Sequence, residues 1–404
     1  MSQPVELGLR TSGLAGRPGI SVLQRLGFAA QKPGKPGSTG NCGTHRLVVV
    51  THLAPPLAFL RNFVQVPRRF TKSSAEAIAV GFHVLNGPDN VPADIKGAFV
   101  AIGNFDGLHR GHQTVLAEAQ KRARERGVPS LLLTFEPHPG DVFAPEPFMF
   151  RLTDAHAKAR ITQALGLDGI CIMPFNRDLA AVEAEDFVRR FLVEALGVSG
   201  VVVGEDFHFG NKRKGTPDFL RDAGKRYGFD VVQLALLEDS DDPISSSRIR
   251  AALNTGLLDM ANNMLGYHWI IEGKVIVGDQ RGRELGYPTA NFELPHCCKL
   301  EHGIYATRVR LKDRVLDGVA SYGKPMFDIH KSPFEVHIFD FDEDIYGQTI
   351  EVALISHIRS QMTFNGLDEL IDQMDLDSAK AKAILEARTP LSRLDADLGF
   401  ITRG

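Results

Sequence analysis

The chain has 404 residues, of which 43% are hydrophobic and 24% charged, with a formal net charge of −3. This balance predicts a globular protein of two or three domains and excludes a general affinity for nucleic acid. The four cysteines (Cys42, Cys171, Cys297 and Cys298) have no metal-like spacing and favour a reducing cytoplasm over a disulfide scaffold.

The N-terminal 80 residues differ from the rest of the chain. Residues 1–75 hold ten Lys or Arg against one acid, Glu6, so this piece carries +9 and leaves −12 elsewhere. A Gly/Pro-rich run at 31–43 and poor periodicity argue against a packed core. The longest apolar run, 47–60, is broken by prolines and is too short to span a bilayer. We predict a disordered or mis-started leader over 1–80, with an organelle targeting peptide as the alternative.

From residue 82 onwards, apolar strands alternate with amphipathic helices, which predicts a doubly wound parallel α/β domain over 81–262. The predicted strands are 98–102, 130–135, 169–173, 201–203 and 231–234. The predicted helices are 113–126, 155–165, 183–196 and one that opens at Thr216-Pro217. In such a sheet, ligands collect at the carboxyl ends of the strands.

The turn after strand 98–102 carries the densest chemistry. It reads Gly-Asn-Phe-Asp-Gly-Leu-His-Arg-Gly-His over 103–112, and it puts His109 and His112 three apart, where two imidazoles can face the same side of a helix start. Free backbone N–H groups and the positive end of the helix dipole suit such a place to a polyphosphate. The alternative is a pair of surface histidines beside a turn. The candidate phosphate contacts of this turn are Gly103, Phe105, Asp106, Gly107 and Gly111.

Three other segments of this domain are candidate ligand contacts. Segments 135–139 and 204–210 follow strand ends, although Phe135 and Phe207, taken singly, are more typical of a core. The segment 244–250 reads Ile-Ser-Ser-Ser-Arg-Ile-Arg, and helix capping explains one of its serines. A serine row with arginines at a helix start also predicts a second anion site, formed by Ser246, Ser247 and Arg250.

The Gly-x-Phe-Asp-Gly-x-His-x-Gly-His form of 103–112 resembles bacterial FAD synthetase, a member of the nucleotidylyltransferase superfamily. That family has Ile-Ser-Ser-Thr-x-x-Arg where this chain has Ser247 at the Thr position and Arg250 at the Arg. The resemblance implies adenylyl transfer from ATP to FMN, with the histidines on the α- and β-phosphates and the serine row on the leaving pyrophosphate. Mg²⁺ would bridge the phosphate oxygens. The implied flavin contacts are Phe135, His138, Asp206 and Phe207.

The pattern changes to period two after about residue 264. Strand-like runs at 269–277, 304–311, 315–321, 334–339 and 349–355 predict a small β-barrel over 263–404, and a helix at 367–386 closes it.

The chemistry of the second domain lies in 273–291. Gly278, Gly282 and Gly286 are spaced by four with Arg283 between them, which alone could be only a mobile loop. The proline-fixed turn that follows presents Thr289 and Asn291 two apart, on one side of an extended segment, as oxygen donors for Mg²⁺ and phosphate.

The form Gly-x-Val-x-x-Gly-(x3)-Gly-Arg-x-Leu-Gly-x-Pro-Thr-Ala-Asn resembles riboflavin kinase. The resemblance implies that Glu335 is the base that deprotonates the riboflavin 5′-hydroxyl; without it, Glu335 is a strand carboxylate facing solvent. One departure is Lys324-Pro325-Met326, where the family usually has Arg-Pro-Thr.

Together, the resemblances imply a cytoplasmic bifunctional riboflavin kinase/FAD synthetase that uses ATP and Mg²⁺ at both sites. Its partners would be the small molecules riboflavin, FMN and ATP, with no nucleic acid and no membrane, and its oligomeric state is left open. Two alternatives are an adenylyltransferase of another acceptor and a flavin-binding regulator with an inactive kinase half.

Overall fold

The structure is a computed structural model that describes residues 81–401, except 147, 236, 240–241, 279–281, 283–284 and 324–332. The predicted leader, Arg283 and the Lys324-Pro325-Met326 departure lie outside the described residues.

A six-stranded parallel sheet forms the first half. Its strands are β1 (His83–Asn86), β2 (Phe99–Ile102), β3 (Ser130–Glu136), β4 (Gly169–Pro174), β5 (Gly200–Gly204) and β6 (Asp230–Leu234). They lie in the order β1-β4-β3-β2-β5-β6 and all neighbours are parallel, which confirms the doubly wound sheet. After β2 the chain builds one side of the sheet, and from β5 it builds the other. The carboxyl ends of β2 and β5 therefore flank the crevice in which such sheets bind ligands.

Helices cover both faces of this sheet, so β2 is wholly buried. They are α1 (Arg110–Arg126), α2 (Ala155–Ala164), α3 (Arg177–Ala181), α4 (Ala184–Phe187), α5 (Pro217–Tyr227), α6 (Ser246–Asn254) and α7 (Leu258–Leu265). A short hairpin, β7 (Glu238–Asp239) and β8 (Asp242–Pro243), precedes α6. Two predicted helices differ from those found. α1 begins three residues before the predicted start, because His109 caps it, and α4 continues as a π-helix over Val188–Ala195.

The second half is an antiparallel barrel, as predicted. Its strands are β9 (Trp269–Lys274), β10 (Ala290–Glu293), β11 (Gly303–Leu311), β12 (Arg314–Tyr322), β13 (Pro333–Ile338) and β14 (Thr349–Ser360), in the order β10-β13-β12-β11-β14-β9. A bridge between Ile276 and Asn291 nearly closes it. Helix α8 (Leu367–Ala387) packs on the barrel, and α9 (Arg393–Asp397) follows. Among the described residues, no helix combines the length and the apolar character needed to cross a membrane.

One continuous hydrophobic cluster joins the α/β half to the barrel. At the junction, the buried indole N–H of Trp269 donates to the carbonyl of Leu152 at 2.8 Å. The hydroxyl of Tyr267 donates to the carbonyl of Gly107 at 2.8 Å. The turn after β2 is therefore held in part by residues at the start of the barrel.

Candidate active sites

The turn between β2 and α1 holds the two histidines against each other. Their rings stack with centroids 3.6 Å apart and planes 18° apart, and the ring of Phe105 lies 5.0 Å from that of His112. Phe105, Gly107 and Leu108 all have positive φ, a conformation that non-glycine residues adopt only when the surrounding contacts enforce it. The predicted contacts Gly103 and Gly111 leave room for rings: a Cβ at either would come within 3.2 Å of Phe105 or His109.

Both imidazoles are neutral at pH 7. Burial, and secondarily the charge of Arg250, lowers the pKa of His109 to about 4. Burial lowers the pKa of His112 well below its usual value, and the charges of His109 and Lys158 add to this. His109 Nδ1 accepts from the backbone N–H of His112 at 3.4 Å, so the proton of neutral His109 sits on Nε2. The buried Nδ1 of His112 has no hydrogen-bond partner in the described structure, which leaves a polar atom available to a ligand.

Asp106 binds protein groups with both carboxylate oxygens. Oδ1 accepts from the backbone N–H groups of Leu152, at 2.9 Å, and Thr153, at 3.1 Å. Oδ2 pairs with the guanidinium of Arg250, which also donates to the carbonyl of Phe150. Asp106 therefore positions Arg250, although the sequence predicted a phosphate contact.

The start of α6 lies beside this turn. Ser245 caps the helix by accepting from the N–H of Arg248 at 3.3 Å, and Ser246 Oγ donates to the carbonyl of Asp106 at 2.9 Å. Ser247 is exposed. The structure thus brings Ser246 and Arg250 to the turn that carries the histidines, 140 residues earlier in the chain.

An ion-pair cluster that the sequence analysis missed lies at the carboxyl end of β3. Glu136 accepts from Lys158 at 2.8 Å and from Arg151 at 2.6 Å, and Lys158 is 3% exposed. The sequence feature that could have indicated this cluster is Lys158, which lies on the apolar face of α2 one turn before Ile161.

The four predicted flavin contacts occupy different surroundings. Phe135 is buried against Phe175 and Phe187, while Phe207 stacks on Phe209 with centroids 5.5 Å apart. Asp206 is exposed after β5. His138 lies near the turn: burial lowers its pKa, and the charges of Asp106, Arg250 and Lys158 act on it. The structure thus brings His138 to the histidine turn and places Phe135 in the core.

The barrel has a cavity of about 250 Å³ beside β10 and β13. Gly278, Thr289 and Asn291 line it together with apolar Val336 and Ile338 and an acidic run at 342–344. Asn291 Nδ2 donates to both oxygens of Thr289 at 3.1 Å, which leaves Asn291 Oδ1 for another partner. A Cβ at Gly278 would lie 2.8 Å from the Asn291 side chain, so the loop backbone approaches this pair closely.

The rest of the glycine-bearing loop is held from outside the cavity. The backbone N–H of Tyr287 donates to the carbonyl of Gly282 at 2.7 Å, and Gly286 has φ +83°. The hydroxyl of Tyr287 donates to Asp375 on α8, and His337 Nδ1 contacts the carbonyl of Pro288 at 2.9 Å. Pro288 itself lines the cavity, whereas Gly282 and Gly286 do not.

Glu335 lies next to Asn291 across the sheet. The two residues are register partners of antiparallel β13 and β10, so their side chains leave the same face. Thr289 shares that face because it is two residues from Asn291. The structure thus puts the predicted base and the predicted metal ligands on one face of the sheet, although Glu335 is not among the residues that line the cavity.

Comparison with known proteins identifies two family domains in this chain. A family model described as FAD synthetase matches residues 91–248, and one described as riboflavin kinase matches 265–385. The bifunctional riboflavin kinase/FMN adenylyltransferase of Escherichia coli (strain K12) is 37% identical over 297 residues, which is 73% of this chain and 95% of that protein. This chain belongs to the bifunctional riboflavin kinase/FMN adenylyltransferase family. It is an ATP-dependent enzyme of two activities that converts riboflavin to FMN and FMN to FAD.

Two further similarities extend the match. The bifunctional riboflavin kinase/FMN adenylyltransferase of Bacillus subtilis (strain 168) is 36% identical over 293 residues, 70% of this chain and 90% of that protein. A crystal structure described as a macrolide-efflux protein from Streptococcus pneumoniae has a TM-score of 0.65 and 30% identity, and it covers 74% of this chain and 98% of its own. The match to both domain models argues against an adenylyltransferase of another acceptor.

Proposed function

We propose that FMN adenylylation takes place within 81–262, at the turn that carries His109 and His112. The observation that carries this proposal is the pair of neutral, stacked imidazoles beside Arg250 at the carboxyl end of β2. An FMN phosphate oxygen attacks the α-phosphorus of ATP, and the bond to the β-phosphate breaks as pyrophosphate leaves. The attacking phosphate is already ionised, so the protein has to position it and neutralise charge, and no strong base is required.

The residues of this site have different roles in the reaction. Neutral His109 donates through Nε2–H and His112 through its ring N–H to phosphate oxygens, while Ser247 and the remaining N–H groups of the Arg250 guanidinium hold the leaving pyrophosphate. Asp106 acts through Arg250, which it orients. Gly103, Phe105, Gly107 and Gly111 shape the turn around the rings. His138 and Asp206 border the crevice where the flavin enters.

We propose that riboflavin phosphorylation takes place within 263–404, at the cavity beside β10. Oxygens of Thr289 and Asn291 would hold Mg²⁺, a hard cation that prefers such ligands, and the backbone at Gly278, which lines the cavity, would contact the ATP phosphates. When bound, the ion neutralises charge on the transferred phosphate. Glu335 takes the proton of the riboflavin hydroxyl, because an alcohol has to lose its proton as it attacks. We propose a cytoplasmic location, in which the free thiols of Cys171, Cys297 and Cys298 stay reduced.

A reciprocal pair of variants tests both assignments. We expect His112→Ala to lower FAD formation at least about 100-fold while FMN formation continues, because a phosphate contact of the transition state is lost. We expect Glu335→Gln to lower FMN formation to a similar extent while added FMN is still adenylylated. Both products are measured by chromatography after mixing the protein with riboflavin or FMN, ATP and Mg²⁺.

Matched controls come from the same chain. His83 lies at the amino end of β1, whereas the candidate site lies at the carboxyl ends of the strands. Glu293 is an exposed carboxylate on β10. His83→Ala and Glu293→Gln should leave both activities intact. Loss of both activities in His112→Ala would argue against independent sites, and a normal kinase rate in Glu335→Gln would remove it as the base.

A further inference from the structure

Lys158 is a buried cation with spare hydrogen-bonding capacity. It lies on α2, its side chain is 3% exposed, and its ammonium donates to Glu136 Oε1 at 2.8 Å. Within the described part of the chain, that is the one hydrogen bond recorded for this ammonium. An ammonium has three donors, and a buried donor without a partner costs free energy. Two of its N–H groups therefore have no acceptor among the described residues.

The charge of Lys158 is not needed to neutralise Glu136. Arg151, 40% exposed, already pairs with the other oxygen of this carboxylate at 2.6 Å. Two cations on one carboxylate leave the cluster with a net charge of about +1. A buried charge that exceeds its partners is unfavourable unless an anion completes the set. Packing alone would be satisfied by an apolar side chain, since Lys158 neighbours Ile161 on the buried face of α2.

The cluster adjoins the adenylylation site. Glu136 ends β3, which is the direct neighbour of β2, and His109 and His112 follow β2. The charge of Lys158 helps to lower the pKa of His112, as that of Arg250 does for His109. Two cations therefore flank the stacked rings: Arg250 held by Asp106, and Lys158 held by Glu136.

We propose that Lys158 is a further phosphate-binding residue of adenylyl transfer, whose ammonium binds a phosphate oxygen of FMN or ATP beside His112. As the FMN oxygen bonds to the α-phosphorus, the bond to the β-phosphate breaks and its electron pair leaves with pyrophosphate. Negative charge gathers on the phosphate oxygens, and a second fixed cation stabilises it. This inference rests on the proposed placement of adenylyl transfer at the histidine turn.

Lys158→Met tests the inference in the full-length enzyme. We expect kcat/KM for FAD formation to fall at least about 100-fold while FMN formation stays at the unmodified rate. A rise in KM for FMN with little change for ATP identifies the FMN phosphate as the partner, and the reverse identifies ATP. The matched control is Lys121→Met: Lys121 is 57% exposed and pairs with Glu118 at 3.8 Å on α1.

A double variant separates phosphate binding from a structural ion pair. Lys158→Met alone leaves Glu136 Oε1 without its hydrogen-bond donor, whereas Glu136→Gln with Lys158→Met also removes the carboxylate charge at that place and should regain the thermal stability that the single variant loses. We expect FAD formation to stay low in the double variant although its melting temperature recovers. Recovery of FAD formation along with stability, or an unchanged kcat/KM in Lys158→Met, would overturn the inference. His112→Ala tests the proposed site separately. If His112→Ala loses FAD formation while Lys158→Met retains it, the role of Lys158 is wrong and the placement of adenylyl transfer at the histidine turn stands.

Discussion

The stacked imidazole rings of His109 and His112 can lie with their centroids 3.6 Å apart because neither ring carries a charge. A second proton on His109 would make a buried imidazolium that the charge of Arg250 repels, and one on His112 would make an imidazolium that the charge of Lys158 repels. Burial in the fold therefore keeps both rings neutral, and this determines how the stability of the enzyme depends on pH.

The stability of the protein should fall as the pH drops below 6.5. The pKa of His109 is about 4 in the folded enzyme and about 6.5 in the unfolded chain, so the unfolded chain takes up the proton first. The contribution of neutral His109 is fully present above pH 6.5 and is lost between pH 6.5 and 4, about 3 kcal/mol over the whole range and about 2 kcal/mol of it by pH 5. Urea unfolding at pH 7.5 and pH 5 measures the difference.

His109→Asn is the control for this pH dependence. Asparagine is a good N-cap, so α1 keeps a cap while the titrating ring is lost. The free energy of unfolding of this variant should depend less on pH between 6.5 and 4 than that of the unmodified protein. An equal slope in the two proteins would mean that other groups cause the effect.

At the scale of residues, the sequence was informative where a site is local. His109 and His112, or Thr289 and Asn291, lie within a few positions of each other, so spacing alone predicted that they would face one side. Lys158 was missed because its significance depends on Glu136, 22 residues earlier, and on burial. The structural role of Asp106 was missed for the same reason, since its partner Arg250 is 144 residues away.

The turn between β2 and α1 depends on a glycine at its tightest point. Gly107 has φ +81°, and a Cβ there would lie 2.8 Å from Leu152 Cδ1. We expect Gly107→Ala to lower the free energy of unfolding by about 2 kcal/mol or more and to reduce FAD formation, because both strain and a clash displace the histidines. Chemical denaturation and the FAD assay measure the two effects.

Gly127 provides the comparison for the same element. It ends α1 with φ +68°, and nothing lies within 4 Å of a Cβ built on it. Gly127→Ala should therefore cost only the strain, about 1 kcal/mol, and leave FAD formation unchanged. If the two alanine variants lost FAD formation equally, the contact with Leu152 would not control the turn.

At the scale of elements, the sequence predicted most strands and helices of the described chain because their apolar periodicity is clear. It did not predict β10, because Ala290–Glu293 follows a proline turn and is recognisable as a strand only through its pairing with the distant β13. The π-helix after α4 was also missed, since its wider turn arises from local packing that a 3.6-residue pattern does not record.

At the scale of the whole molecule, the two halves should unfold together. One hydrophobic cluster runs through both, and the single tryptophan, Trp269, lies buried at their junction with its ring 5.6 Å from that of Phe150. We expect the fluorescence of Trp269 and both activities to be lost at the same urea concentration. Loss of one activity well before the other would show that the halves unfold separately.

The sequence pattern did not predict the order of the strands in either sheet. Alternation of strands and helices predicts parallel pairing, yet it does not say that β1 lies beside β4 or that β14 lies between β11 and β9. The strand order depends on which arrangement buries the apolar faces of all strands and helices together.

The segment after α9 completes the junction. Phe400, 3% exposed, packs between the guanidinium groups of Arg160, 5.2 Å from its ring, and Arg310, at 4.5 Å. Arg160 belongs to α2, the same helix as Lys158, and it also pairs with Glu351 of the barrel. A growing polypeptide emerging from the ribosome makes residues 398–401 after every other described element. The helix that bears Lys158 therefore gains these neighbours only after residues 398–401 have been made, and a nascent chain stalled before that point would hold α2 without this support.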